Sequence, residues 1–124
     1  MSKKILIVDD HPETTRLLEV VLRSDDRQLF VAESGEQALE IARRAHPDLI
    51  LLDIMMPGGI DGYEVARRLK EDPETSGGKI IVMTAKVRNV DRMDAFASGA
   101  DDYISKPFDI FDIRKRVERF LKAS

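Results

Sequence analysis

Several apolar runs in this sequence end on side chains suited to holding a hard cation or taking up a phosphoryl group. ILIV over 5–8 is followed by Asp9 and Asp10, LILL over 49–52 by Asp53, IIVM over 80–83 by Thr84 and Ala85, and YIS over 103–105 by Lys106. Carboxylates brought together repel one another, and a cation between them makes the cluster tolerable. Asp9, Asp10 and Asp53 offer only oxygen, with no paired histidines or cysteines alongside, so Mg²⁺ is favoured over Zn²⁺. Lys106 can pair with Asp53 at rest or with a phosphoryl oxygen afterwards, the Thr84 hydroxyl can bond another oxygen, and Ala85 keeps the approach open. Phosphoryl transfer depends mainly on in-line positioning and charge neutralisation. A nucleophile at Asp53, a metal, a lysine and a hydroxyl are therefore sufficient equipment.

These residues meet only if the ends of the runs lie along one edge. Residues 4–8, 49–52 and 80–83 are continuous aliphatic stretches, the pattern of strands buried on both faces of a parallel sheet. Residues 28–32 and the Tyr103-Ile104 pair supply two more strands. Between them, Leu17, Leu18, Val21 and Leu22 recur at helical spacing after Pro12, and Ala38, Leu39, Ile41, Ala42 and Ala45 run from Ser34-Gly35 to just before Pro47. Val65, Ala66 and Leu69 mark a helix ending near Asp72-Pro73; Val90, Met93 and Ala97 mark another up to Gly99; Ile113, Val117, Phe120 and Leu121 mark the last. Pro57-Gly58-Gly59 predicts a turn and Gly77-Gly78 leads into the fourth strand. Five strand–helix units in strict alternation predict an α/β fold, a doubly wound five-stranded parallel sheet with five helices on its two faces. In such sheets function sits beyond the carboxyl ends of the strands, where Asp9, Asp10, Asp53, Thr84 and Lys106 fall.

Bulk properties narrow the classes. A chain of 124 residues can bury one core without disulfides or structural metal, and there is no cysteine for either a disulfide framework or a thiol nucleophile. With 20 basic against 23 acidic residues, the net charge of -3 gives no global case for nucleic acid or an anionic membrane as partner. No apolar run approaches the roughly 18 residues of a spanning helix, so a cytoplasmic location is the expectation.

Jointly, and in this order, ILIVDD (5–10), DLILLDIMMP (48–57), VMTA (82–85) and GADDYISKPF (99–108) resemble the CheY-like receiver domains of response regulators in two-component signalling. The resemblance covers essentially the whole chain, so 1–124 is read as one receiver domain. It implies strand order 2-1-3-4-5, Asp53 as phospho-acceptor, Asp9 and Asp10 as the acidic Mg²⁺ pocket, and the Met55 backbone carbonyl as a further metal ligand. Thr84 and Lys106 match the phosphate-sensing pair, with Ala85 beside them. Tyr103 matches an aromatic that turns inward when Thr84 moves toward the phosphate, and Lys106-Pro107 matches a bond often cis in the family. The implied donor is a sensor histidine kinase or phosphotransfer protein, and the implied output is a downstream protein target that the sequence does not name. One departure is visible: Gly59 and Ile60 both stand between Pro57-Gly58 and Asp61-Gly62 where the family commonly has a single residue, which implies a reshaped loop.

Blander readings stand beside these. Asp9-Asp10 alone could be a charge pair at a helix N-terminus, Asp53 a cap, Thr84 a strand-terminal β-branched residue, Lys106 a solvated lysine and Tyr103 a half-buried strand aromatic. His11 reads as solvent-facing or a cap and is given no chemistry, His46 suits the dipole at a helix end, and Met55-Met56 reads as loop packing. Arg114, Lys115, Arg116, Arg119 and Lys122, opposite in sign to Asp91, Asp94, Asp101 and Asp102, form a solvated face by default. They also resemble the pairing face of regulators that dimerise through their fourth helix, fifth strand and fifth helix. Among other functions, a haloacid-dehalogenase-like phosphatase requires a second acid where Met55 stands, and flavin binding would need hydroxyl and glycine donors where Asp9-Asp10-His11-Pro12 stands. A pseudo-receiver acting only as an interaction module is the alternative. No output domain is expected after Lys122; a stand-alone protein and a part of a larger regulator or hybrid kinase both fit.

Overall fold

The aliphatic runs form strands, and the alternation of their side chains builds two cores at once. The computed structural model describes residues 2–56, 59–85 and 97–123. Five parallel strands, β1 (Lys3–Val8), β2 (Arg27–Ala32), β3 (Leu49–Asp53), β4 (Lys79–Thr84) and β5 (Asp102–Ser105), lie in the order β2-β1-β3-β4-β5. Four helices fall among the described residues: α1 (Pro12–Leu22), α2 (Gly35–Ala45), α3 (Gly62–Glu71) and α4 (Ile110–Ala123). The predicted helix through Val90 and Met93 and the predicted turn at Pro57-Gly58 lie outside the described residues.

Successive strand side chains point to opposite faces. Ile5, Ile7, Leu49, Leu51, Ile81 and Met83 therefore pack with Leu18 and Leu22 of α1 and Ile113, Val117 and Leu121 of α4. Leu6, Val8, Ile50, Leu52, Ile80 and Val82 pack on the other face with Ala38, Leu39 and Ala42 of α2 and Val65, Ala66 and Leu69 of α3. Each wholly buried Leu or Ile contributes about 1.5–3 kcal/mol relative to exposure, which makes β1 and β3 the rigid centre of the sheet. Leu17 departs from the predicted apolar stripe of α1 and is 40% exposed, because Leu18 and Leu22, one turn apart, already fill the contact with the sheet.

Local chemistry places the helix ends. The Ser34 hydroxyl accepts from the Gln37 amide at the start of α2, and Asp61 Oδ1 accepts from the Glu64 amide at the start of α3. His46 ends α2 in the left-handed region (φ 51°), and its Nδ1 lies 2.9 Å from the Glu74 carbonyl, a tether between two loops rather than only a charge on the dipole.

The amino edge of the sheet is stitched by carboxylates with all their work assigned. Asp48 Oδ2 accepts from the Lys4 amide, while Asp48 exchanges backbone bonds with Lys4 and Lys79. Asp101 Oδ2 accepts from both the Ile80 amide (2.8 Å) and Lys70 Nζ (3.0 Å).

Candidate functional site

At the opposite edge, β1 and β3 are adjacent, so their terminal acids converge. Ligand atoms of Asp9, Asp10, His11 and Asp53 all lie within 4.8 Å of one another. Asp9 is wholly buried and Asp53 is 2% exposed. Lys106 Nζ reaches in from the end of β5, 2.7 Å from Asp9 Oδ2 and 3.6 Å from Asp53 Oδ1. The Met55 amide donates to Asp53 Oδ1 at 3.1 Å. The other Asp53 oxygen, Oδ2, is buried without a hydrogen-bond partner among the described residues, and the buried Asp10 Oδ1 makes no hydrogen bond but has the His11 ring nitrogen 3.2 Å away. Unsatisfied buried carboxylate oxygens are costly, so this is a cluster with room in its bonding for a cation or a covalent partner.

Burial raises the Asp53 carboxyl above the ordinary range, and the charge of Asp9 raises it further; Lys106 and the Met55 amide oppose the shift. His11 titrates above its ordinary value because Asp9 bonds its ring, with the charge of Asp10 next in weight. His11 is the residue that reading the sequence missed. Expected to carry no chemistry, its ring is 62% exposed yet sets Nδ1 2.9 Å from Asp9 Oδ1 and 3.2 Å from Asp10 Oδ1. The available signal was its position directly after two acids and before Pro12, which starts the helix and forces the chain to turn there.

The remaining expected residues sit around this cluster. Thr84 is wholly buried at the end of β4, next to Met83, which is the cross-strand neighbour of Asp53, and its carbonyl accepts from the Lys106 amide at 2.7 Å. Ala85 is exposed just beyond it. Tyr103 is 7% exposed and belongs to the buried cluster on the face of the sheet that carries Val82 and Ile80. The Lys106-Pro107 bond is cis. Gly62 opens α3 directly against the end of β3, where a Cβ would stand 2.6 Å from the Asp53 carbonyl oxygen.

The extra residue in the following loop is accommodated by packing. Ile60 lies against α2 so closely that a Cβ on Gly35 would be 2.6 Å from its Cγ1, and its amide donates to Glu36 Oε1 at 3.2 Å. On the far side of the molecule, Arg116 bonds Asp102, Asp112 and the Tyr103 carbonyl, and Lys70 holds Asp101. Those acids of the expected pairing face are thus engaged within the chain, while Asp91 and Asp94 lie outside the described residues.

A family model of the response regulator receiver domain matches residues 5–118. The chain belongs to the response regulator receiver family. This receiver is 42% identical over 124 residues to the DNA-binding response regulator MtrA of Mycolicibacterium smegmatis, covering all of this chain and 53% of MtrA. It is 44% identical over 109 residues to the response regulator PleD of Caulobacter vibrioides, covering 88% of this chain and 24% of PleD. The receiver chain thus spans about half of one relative and a quarter of the other. A crystal structure of a putative response regulator from Chloroflexus aurantiacus superposes with a TM-score of 0.89 at 34% identity, over 98% of this chain and 99% of that one. The receiver is accordingly a phosphorylation-accepting signalling domain, and the pseudo-receiver alternative draws no support from these relatives. No helix among its described residues is long and apolar enough to cross a membrane.

Proposed function

We propose that Asp53 is the acceptor of a two-component switch, charged by a sensor histidine kinase or phosphotransfer protein and read by a downstream protein. The observation that carries this reading is the buried, unpartnered Asp53 Oδ2 at the carboxyl edge of the sheet, with Lys106 already inside the cluster. An Asp53 oxygen attacks phosphorus, the bond to the donor nitrogen breaks, and the donor imidazole leaves with its electron pair. The product is an acyl phosphate that water later hydrolyses. Asp9, Asp10, Asp53 and the Met55 carbonyl would hold Mg²⁺, which when bound offsets the charge of the phosphoryl oxygens; Asp53 Oδ2 and Asp10 Oδ1, neither of which makes a hydrogen bond among the described residues, are donors such an ion fits.

The gain of charge then redistributes bonds that the resting protein already holds. Lys106 exchanges Asp9 for a phosphoryl oxygen, the Thr84 hydroxyl bonds another, Ala85 leaves the approach clear, and movement of Thr84 is answered by Tyr103. Residues 1–124 act as one receiver unit in the cytoplasm, with no turnover beyond slow self-phosphorylation and autodephosphorylation, and the unit itself contacts neither nucleic acid nor membrane. A DNA-binding output of the kind named for MtrA would lie in further chain. Phosphorylation-promoted pairing through the fourth predicted helix, β5 and α4 would use the exposed Arg114, Lys115 and Arg119; unchanged sedimentation on activation would count against it.

Intact mass after incubation with Mg²⁺ and acetyl phosphate tests the acceptor. One labile phosphate on the wild type and none on Asp53→Asn is expected; equal labelling of both would move the acceptor elsewhere.

A further inference from the structure

The metal pocket described above is an all-oxygen pocket in its expected donors, but the fold adds a nitrogen to it. His11 Nδ1 is among the atoms within 4.8 Å of one another, together with oxygens of Asp9, Asp10 and Asp53. Its placement is fixed by the backbone: the His11 amide donates to Asp9 Oδ1 at 2.9 Å, and its carbonyl accepts from Thr14 and Thr15 at the start of α1. The His11 backbone is therefore held beside Asp9, within reach of the cluster for a ring that turns about its side-chain bonds. In the same cluster the buried Asp53 Oδ2 has no hydrogen-bond partner among the described residues, and Asp10 Oδ1 makes no hydrogen bond, with the His11 ring nitrogen 3.2 Å away.

We propose that His11 Nδ1, on giving up to solvent the proton it shares with Asp9, is a protein donor to the divalent ion held by Asp9, Asp10 and Asp53, giving this receiver a preference for ions that accept imidazole, such as Mn²⁺, over Mg²⁺. The inference rests on the metal reading above and concerns which ion the pocket selects. Mg²⁺ demands oxygen ligands and gains little from imidazole, whereas Mn²⁺ and the later divalent ions accept both. A mixed carboxylate and imidazole set therefore widens the affinity gap between them. The exposed side of the ring leaves it free to rotate about its own bonds toward an ion without displacing core atoms.

The test is electron spin-echo modulation of the Mn²⁺-loaded protein, with Mn²⁺ and Mg²⁺ affinities measured by calorimetry on wild type, His11→Ala and His11→Gln, and circular dichroism to check folding. The expected result is nitrogen modulation in the wild type that both variants lack, a Mn²⁺ affinity lowered roughly five- to tenfold, and a Mg²⁺ affinity changed less than about twofold. Mn²⁺ binding without nitrogen modulation, or equal loss of both ions in the variants, overturns the role of His11 while leaving the carboxylate pocket standing. Failure of the folded wild type to bind either ion overturns the pocket itself and this inference with it.

Discussion

Lys106 holds Asp9 more tightly than it holds Asp53: its Nζ is 2.7 Å from Asp9 Oδ2 and 3.6 Å from Asp53 Oδ1. Both acids are buried, so the nearer contact leaves Asp53 the less satisfied of the two. Lys106→Ala removes that counter-charge. Its cost to the metal-free protein is expected at about 1–3 kcal/mol, below the full penalty for an orphaned ion because the lysine is partly solvated. Added Mg²⁺ should then raise Tm more in the variant than in the wild type. Equal increments in EDTA and Mg²⁺ melts would show that metal and lysine do not share Asp9.

Asp53→Asn should stabilise the metal-free protein at neutral pH. The folded-state carboxyl lies above its ordinary value, chiefly through burial, so the folded state binds the proton more tightly than the unfolded chain. Stability is therefore lost as pH rises from the ordinary carboxylate range through the raised folded value, and the penalty is complete above it. Asparagine carries no such penalty. The expected advantage in Tm is greatest near pH ~7 and shrinks toward zero below pH ~3.5. An advantage that grew on acidification would contradict the sign.

Gly62 is a contact point between helix and acceptor strand. A Cβ there meets the Asp53 carbonyl oxygen and Ile54 Cα, both at 2.6 Å, and neither is the free end of a flexible side chain. Gly62→Ala is expected to cost about 1–3 kcal/mol in urea unfolding and to slow acetyl-phosphate uptake at Asp53. Gly77, with nothing within 4 Å of its Cβ position, is the matched control and should change by less than about 0.5 kcal/mol on the same substitution.

Ile60 and Gly35 should be energetically coupled. Gly35→Ala alone forces its Cβ against Ile60 and Val65, and Ile60→Ala alone leaves a gap; each is expected to cost about 1–2 kcal/mol. In the double variant the gap receives the added methyl, so the cost should fall short of the sum by at least about 0.5 kcal/mol. Strict additivity in denaturant titrations would mean that the loop moves away from α2 in solution.

Elements buried on both faces were the most legible. The spans 4–8, 49–52 and 80–83, read from uninterrupted aliphatic character, differ from β1, β3 and β4 by at most one residue at each end. The strand ends then followed, and with them the meeting of Asp9, Asp10, Asp53 and Lys106. What spacing did not carry was direction within the crevice. That Lys106 leans on Asp9, that the His11 ring folds back over two acids, and that Ile60 fills the space above Gly35 all depend on side-chain rotamers set by three-dimensional neighbours. The Tyr103 position is intermediate: read from the sequence as a half-buried strand aromatic, it lies in β5 beside Val82 and is buried to 7% exposure.

The carboxylates at the two ends of the sheet divide the molecule into a fixed end and a responsive one. Asp48 and Asp101 tie strand starts together through backbone amides, and a charge arriving elsewhere gives them nothing better to bond. At the other edge Asp53 keeps one buried oxygen without a hydrogen bond, and Asp10 Oδ1 has only the exposed His11 ring beside it. A perturbation at Asp53 therefore meets an immobile floor beneath it and can be relieved only upward and sideways, through the loops that follow β1, β3, β4 and β5. On the function proposed above, a phosphoryl group on Asp53 is felt first in those loops, at a surface that another protein can meet.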